Sequence, residues 1–227
     1  MARPSERVLI TCEHGGNRVP ARERAHFARA ARRLSSHRGF DAGALDMARR
    51  LARAWRAPLV FATTTRLLVD LNRSPGNPAV FSVYTRGLSR AQRDALLARH
   101  HAPHWRRVRA ALAAQRGRVL HVAVHSFTPV LSGARRDFGI GILYDPRRSG
   151  ERERARVWQQ RLARSLPGLG VRRNAPYRGD ADGLTTALRR EHPTSRYQGI
   201  ELELNQRLIT TAAQRRALAA VLAAQLP

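Results

Sequence analysis

Short apolar runs alternate with segments of helical periodicity along this chain of 227 residues. The apolar runs are nearly continuous, which is typical of central strands covered on both faces of a sheet. They predict strands at 8–12, 59–62, 67–71, 120–124, 139–144 and 200–204. The segments between them predict helices at roughly 21–34, 41–55, 89–115, 151–166, 184–191 and 211–226. This alternation favours an α/β protein, a three-layer α/β/α sandwich around a largely parallel or mixed sheet.

Two of the predicted helices carry a recognisable start signal. Ser89 is followed by Gln92, and Thr211 by Gln214, which is the spacing of a capping box. The length suits one domain with a substantial core, and no internal repeat or linker interrupts the pattern. We therefore expect a single domain over 1–227.

Two predicted strands end in histidine. The run 8–12 is followed by Glu13, His14 and a Gly-Gly pair, and the run 120–124 is followed directly by His125. Ligands of open α/β sheets lie just past the carboxyl ends of the strands, where glycines let the backbone approach closely. His14 alone could simply satisfy a turn by hydrogen bonding. Two strand-end histidines together indicate a metal site or an acid–base site.

Acidic and amide side chains accompany other predicted strands. Glu201 and Glu203 alternate with apolar residues, so they share one face of the last strand. Carboxylates on such a face are costly unless they are paired or functional, the alternative being an exposed edge strand. Asn72 and Arg73 end the segment 66–73 and could together grip a carboxylate. Asp41 is either a helix N-cap or a ligand.

Composition narrows the class of protein. The chain is 43% hydrophobic and 26% charged, which is typical of a globular protein. Its one cysteine, Cys12, excludes an intramolecular disulfide framework and a multi-cysteine zinc site; inside the first strand, it suits burial better than a catalytic role. No signal peptide is visible and no apolar run reaches the length of a membrane span, so we expect a cytoplasmic protein without a membrane partner.

The net charge of +26 raises the possibility of a nucleic-acid partner. Every one of the 42 basic residues is arginine, however, and the arginines are spread over nearly all predicted helices. No zinc-finger spacing or RNA-binding motif accompanies them. The pattern favours a solvated surface whose field attracts small anionic substrates, and it disfavours nucleic acid.

Several of these segments together resemble the N-formylglutamate amidohydrolase family. The similar segments are 12–20, 41–43, 66–73, 125–129 and 203–206, which follow one another in the family's order from the first strand to the last. The resemblance implies a phosphorylase/hydrolase-like α/β/α fold and zinc-dependent hydrolysis of an N-acyl amino acid, foremost N-formylglutamate to formate and glutamate. The passage 70–73 is also similar to aspartoacylases and zinc carboxypeptidases of the wider fold.

The resemblance also implies roles for individual residues. It makes His14 and His125 zinc ligands. Related proteins carry a second ligand in a His-x-x-Glu motif, where this chain has Asn17, and neutral Asn is a poor zinc ligand. We expect Asp41 to be the third ligand, with Asn17 and Glu13 as the alternatives.

The remaining roles concern catalysis and substrate binding. Glu203 is the expected general base, and Arg66 is expected to polarise the scissile carbonyl. Asn72 and Arg73 are expected to hold the substrate carboxylate. Tyr177 lies in a turn-rich loop, 174–183, that resembles a pocket loop of the family.

Two rival functions stay open at this stage. One is a peptide amidase or carboxypeptidase on the same fold, which differs only in substrate. The other is an arginine-rich nucleic-acid-binding protein on a degenerate hydrolase fold. The sequence leaves the acyl group, the amino acid and the oligomeric state open.

Overall fold

A six-stranded sheet forms the centre of the computed structural model, which describes residues 6–226. Its strands are β1 (Arg7–Cys12), β2 (Leu59–Phe61), β3 (Val119–Phe127), β6 (Ile140–Leu143), β7 (Val171–Arg173) and β8 (Tyr197–Asn205). A separate two-stranded hairpin consists of β4 (Val130–Leu131) and β5 (Ala134–Arg135).

The sheet is mixed, with strand order β2-β1-β3-β8-β6-β7. The strands β2, β1, β3 and β8 run parallel, whereas β6 pairs with β8 in the antiparallel direction and β7 runs parallel to β6. The predicted last strand is therefore central, between β3 and β6, and the exposed-edge alternative for it is wrong. Every residue of β3 and β8 is buried.

Helices cover both faces of the sheet, as the alternation of elements predicted. They are α1 (Ala31–Leu34), α2 (Ala44–Ala54), α3 (Arg90–Leu96), α4 (Ala102–Ala113), α5 (Ser149–Ser165), α6 (Leu184–Glu191) and α7 (Ala212–Ala224). One face packs against α2, α5 and α7 in the larger apolar cluster. The other packs against α4 and α6, around Trp105 and Tyr197. The prediction of a three-layer α/β/α sandwich with a mixed sheet is confirmed.

The predicted strand at 67–71 is wrong, because this apolar run is buried without joining the sheet. Its leucine and valine side chains fill two small clusters away from the main core. Its carbonyl groups accept hydrogen bonds from the side chains of Ser82, Thr85 and Trp105 instead of from a neighbouring strand. A buried loop is tolerated when its backbone polar groups are satisfied in this way.

Some helix boundaries also differ from the prediction. The segment 21–34 forms a 3₁₀ helix (Ala21–Phe27) followed by the short α1, and the segment 89–115 is divided by a π-helical turn (Leu97–His101). The capping boxes at Ser89 and Thr211 are both present, with the side chain of Gln92 or Gln214 closing each one. None of the helices formed by residues 6–226 combines the length and the apolar character that a membrane span requires.

Candidate metal and catalytic site

The parallel strands place their carboxyl ends at one edge of the sheet, and a cavity of about 510 Å³ opens there. All eight residues that the sequence analysis selected line it: His14, Asp41, Arg66, Asn72, Arg73, His125, Tyr177 and Glu203. The lining also includes Glu201, His37 and Asp182.

The Gly-Gly pair after His14 has a steric reason. A Cβ atom on Gly15 would lie 2.8 Å from the carbonyl oxygen of Ala62, and one on Gly16 would lie 2.7 Å from that of Thr63. Only glycine allows the chain leaving β1 to pass so close to the segment that follows β2. The packing fixes the direction in which the chain carries His14 away from the strand.

Three buried side chains direct nitrogen or oxygen atoms toward one another. Asp41 Oδ2 lies 2.9 Å from His125 Nδ1 and 3.5 Å from His14 Nδ1. One ligand atom from each residue lies within 4.8 Å of the others, and each residue is at most 5% exposed. Two imidazoles and one carboxylate are a donor set typical of catalytic zinc sites. Asp41 is therefore placed as the sequence analysis expected of a third ligand, and it does not cap α2, whose N-cap is Gly43.

The other ring nitrogens of the two histidines face buried carboxylates. His14 Nε2 lies 2.7 Å from Asp70 Oδ1, and His125 Nε2 lies 3.3 Å from Glu13 Oε2. A proton on each Nε2 leaves the Nδ1 lone pairs facing Asp41, which is how metal-binding histidines are usually oriented. His14 Nδ1 is buried and has no hydrogen-bond partner among the described residues. A buried nitrogen without a partner is costly, and a metal ion would remove that cost, so the residues fit a bound metal.

Strong opposing charges shape the pKa values in this cluster. Burial raises the pKa of Asp70, but Arg66 and His14 outweigh it, so the pKa of this carboxyl lies well below its usual range. Burial likewise lowers the pKa of His125, and the Asp41 and Glu13 carboxylates more than reverse the effect. Burial raises the pKa of Asp41, but the neighbouring imidazoles, that of His14 foremost, lower it by more than burial raises it. The cluster is an alternating array of carboxylates and imidazoles, which a divalent cation complements.

Glu203 and Glu201 lie on one face of β8, but their surroundings differ. The hydroxyl of Thr185 donates a hydrogen bond to Glu201. Glu203 Oε2 is buried without a hydrogen-bond partner in the described part of the chain, although the residue lines the cavity. Burial raises the pKa of Glu203 to about 7, with Asp41 adding to the effect and His125 opposing it. A carboxyl group with a pKa near neutrality is suited to proton transfer.

The guanidinium group of Arg66 is positioned by two of the buried carboxylates. It donates to Asp70 Oδ2 at 2.8 Å and to Asp41 Oδ1 at 3.4 Å. The side chain remains 27% exposed, on the cavity side. Burial lowers the pKa of Arg66, but the two carboxylates raise it by a larger amount. The net shift is upward, so the group stays charged.

The predicted substrate-binding residues, Asn72, Arg73 and Tyr177, line the cavity. Asn72 Oδ1 accepts from the backbone N–H of Leu184 at the start of α6, and its Nδ2 lies 3.5 Å from His125 Nε2. One nitrogen of Arg73 donates to the carbonyl oxygen of Asp182 at 2.6 Å. Tyr177 is 46% exposed. Asp182 and Tyr177 belong to the loop 174–183, which therefore forms one wall of the site.

The structure separates the three alternatives for the third ligand. Asn17 is exposed and lies outside the cavity. Glu13 is fully buried behind His125, with Oε1 3.8 Å from His104 Nε2, so it faces the ring nitrogen opposite Asp41. Only Asp41 lies between the two histidines.

Sequence reasoning missed the supporting role of two carboxylates, those of Asp70 and Glu13. Asp70 was noted only as part of its motif, because nothing in the sequence indicates that the loop brings its carboxylate onto Arg66 and His14. Glu13 follows an apolar strand, where the only signal was an acidic residue directly beside His14. His104, near Glu13, lies in a helix that shows no sequence signal for a site.

Comparison with known proteins gives one family match. A family model described as N-formylglutamate amidohydrolase matches residues 6–210. A comparison with curated proteins found no match.

The solved structures that are similar to this chain include three with different degrees of similarity. The gene product Atu2144 from Agrobacterium tumefaciens has a TM-score of 0.81 and 30% identity, with 96% of this chain and 88% of that chain covered. The N-acetylmuramoyl-L-alanine amidase AmiC2 of Nostoc punctiforme has a TM-score of 0.40 and 12% identity, with coverage of 97% and 94%. The succinylglutamate desuccinylase from Chromobacterium violaceum has a TM-score of 0.45 and 16% identity, with coverage of 99% and 61%.

Proposed function

Since this chain belongs to the N-formylglutamate amidohydrolase family and is thus an amidohydrolase of acylated amino acids, we propose that it is a zinc-dependent enzyme that cleaves N-formylglutamate to formate and glutamate. The observation that carries the proposal is the convergence of His14, Asp41 and His125 beside an unpartnered Glu203 in one cavity. The products follow from hydrolysis: the amide C–N bond breaks, the formyl carbon gains the hydroxyl of water, and the amine gains the proton.

His14 Nδ1, His125 Nδ1 and Asp41 would hold the zinc ion. Three protein ligands of this kind leave one coordination position open, as in other catalytic zinc sites. Bound there, zinc supplies Lewis-acid chemistry that lowers the pKa of water and polarises a carbonyl group. Asp70 and Glu13 fix the orientation of the two imidazole rings from behind.

Glu203 accepts the proton of the attacking water and passes it to the leaving amine. Its raised pKa suits both transfers, because the group gains and loses a proton near neutral pH. Thr185 binds Glu201, which leaves Glu203 as the carboxylate of this face with an unpartnered oxygen.

Arg66 stabilises the negative charge that develops on the carbonyl oxygen. Its guanidinium is held by Asp41 and Asp70, so little reorganisation is needed when that charge appears. Asn72 and Arg73 orient the substrate through its α-carboxylate, and such orientation reduces the entropic part of the barrier.

The proposal is tested by metal analysis of the purified protein, followed by measurement of formate release. We expect about one zinc per chain and formate release from N-formylglutamate that a chelator abolishes and added zinc restores. Full activity in protein stripped of metal would refute the zinc dependence, and no release of formate or glutamate by the zinc-loaded protein would refute the substrate.

A further inference from the structure

A second depression adjoins the proposed active site and shares three lining residues with it. This arginine groove, of about 1190 Å³, shares His37, Arg66 and Tyr177 with the cavity. Its own walls carry the arginines Arg33, Arg38, Arg86, Arg90 and Arg93. A formyl group is too small to reach it, so hydrolysis of N-formylglutamate leaves the groove without a role.

The charge of the groove is largely uncompensated. Asp94 is the one acidic residue among its described lining residues, and it lies 3.8 Å from Arg90. Arg93 donates to the carbonyl oxygen of Arg86 and lies over the ring of Phe81. In the part of the chain that the structure describes, Arg38 and Arg86 are exposed and their guanidinium groups form no ion pair. An arginine-lined concavity of this kind concentrates anions.

The same region also carries exposed apolar surface. The large hydrophobic side chains exposed in residues 6–226 are Val83, Val130 and Tyr177. Val83 and Tyr177 line the groove, as does Leu131, the neighbour of Val130. Apolar groups gathered on a concave surface favour a ligand that has apolar parts of its own. The occupant therefore combines negative charge with apolar parts, as an acidic peptide chain does.

The position of Arg66 indicates which end of the substrate faces the groove. In the proposed mechanism Arg66 meets the scissile carbonyl, and its side chain lines both the cavity and the groove. Asn72 and Arg73, which take the α-carboxylate of the leaving amino acid, line the cavity but not the groove. What extends from the cavity into the groove is therefore the acyl side of the substrate.

We infer that the arginine groove binds the acyl part of a larger substrate, namely an acidic peptidyl chain whose C-terminal amino acid the enzyme removes. The inference rests on the proposed function, because it uses the same hydrolysis: the last amide C–N bond breaks, the peptidyl carbon gains the hydroxyl of water, and the released amine gains the proton. The proposed peptide substrate differs from N-formylglutamate only in that its acyl part also contacts the groove.

The test compares N-acetyl-Glu-Glu-Glu-Glu, N-acetyl-Gln-Gln-Gln-Glu and N-formylglutamate at fixed ionic strength. The groove variant is Arg38→Gln/Arg86→Gln. The control variant, Arg53→Gln/Arg216→Gln, removes the same charge from a depression that shares no residue with the groove. The wild type should prefer the acidic peptide over the neutral one by about tenfold in kcat/KM, as expected for a few exposed charge pairs. The groove variant should lose most of that preference and keep its rate on N-formylglutamate, and the control variant should keep both.

Two results of this kinetic comparison would overturn the inference. One is an equal loss of the acidic preference in the groove and control variants. This result would mean that the electrostatic field of the whole protein, and not the groove, causes the preference. The other is a wild type that does not distinguish the acidic from the neutral peptide.

A binding measurement separates this inference from the proposed reaction. Fluorescence anisotropy of labelled tetraglutamate should show weaker binding to the groove variant than to the control, even if N-formylglutamate is not hydrolysed. In that case the groove assignment stands and the formyl substrate is wrong. The same measurement is made with a labelled single-stranded oligonucleotide. If the groove variant loses more affinity for the oligonucleotide than for tetraglutamate, the ligand of the groove is nucleic acid and the inference is overturned.

Discussion

His125 and Glu203 are register partners on the adjacent parallel strands β3 and β8. Residues at odd positions of these strands face the layer of α4 and α6, so both side chains enter the same side of the sheet. The proposed metal ligand and the proposed general base are thus held by two fully buried, central strands of the sheet. Sites on strands hold their groups more precisely than sites on loops.

The metal assignment predicts that either histidine is indispensable. His14→Ala and His125→Ala should each lose zinc, because removing one of three ligands leaves too few protein donors. Metal content measured after dialysis against a weak chelator is the readout, with His37→Ala, a cavity-lining histidine outside the cluster, as the control. Full zinc occupancy in both ligand variants would end this assignment.

The position of Glu13 predicts a role in metal affinity that does not involve binding the metal. Glu13 Oε2 lies 3.3 Å from His125 Nε2, so Glu13→Gln weakens the hold on that ring without removing a ligand. Zinc affinity should fall roughly 10–100-fold, the usual effect of such outer groups. Competition with a zinc-binding dye measures it. Glu23→Gln, which changes another buried glutamate that pairs with Arg99, should leave zinc affinity unchanged.

Glu203 should control the pH dependence of the reaction. As a general base it works deprotonated, and its pKa of about 7 means that kcat/KM falls as the pH drops below about 7. Glu203→Gln should keep zinc and lose roughly two or more decades in turnover, together with this acidic limb. The matched variant is Glu201→Gln, whose carboxylate is bound by Thr185. If that variant is inactive while Glu203→Gln turns over normally, the base is Glu201.

His121 should make the folded state sensitive to acid. It lies in β3 between Thr11 Oγ1 at 2.8 Å and Tyr197 Oη at 2.7 Å, and burial lowers its pKa to about 4. The unfolded chain binds a proton near the ordinary pKa of about 6.5, so stability is lost as the pH falls from about 6.5 toward 4.

The variant His121→Gln separates this effect from other acid-sensitive groups. Glutamine keeps a donor and an acceptor but does not titrate, so the free energy of unfolding should change less steeply over that pH window than in the wild type. Urea unfolding at several pH values measures the slope. Identical slopes for the two proteins would assign the acid sensitivity to another residue.

The periodicity of the chain was enough to predict the layers of the fold and five of the six strands of the central sheet. The strand at 67–71 was predicted wrongly, because an apolar run shows only that residues are buried. Here the hydroxyls of Ser82 and Thr85 and the indole of Trp105 satisfy its carbonyl groups, and these partners are distant in sequence. The short strand β7 has two exposed residues and no apolar run to reveal it.

The lining of the site was predictable because its residues follow strands or occur in compact motifs. The support behind the site was not, since Glu13 and His104 are brought together only by the packing of α4 against the sheet. Likewise, the number of arginines can be counted in the sequence, but their arrangement around a groove cannot be predicted from it. Arg189, for example, is buried and binds Glu151 and the carbonyl of Gly199, so its charge is structural.

The last prediction concerns the carboxylate of the substrate. Arg73 lines the cavity with one nitrogen bound to the carbonyl oxygen of Asp182, and Asn72 lies beside it, anchored to α6. If the pair orients the α-carboxylate, Arg73→Lys should lower kcat/KM strongly, because lysine keeps the charge and loses the planar donor pair. N-formylglutamate α-amide should be a poor substrate for the wild type, since it leaves the guanidinium without its anionic partner. The comparison of acid and amide in both proteins is decisive: equal rates on the two substrates in the wild type would show that these residues do not bind the carboxylate.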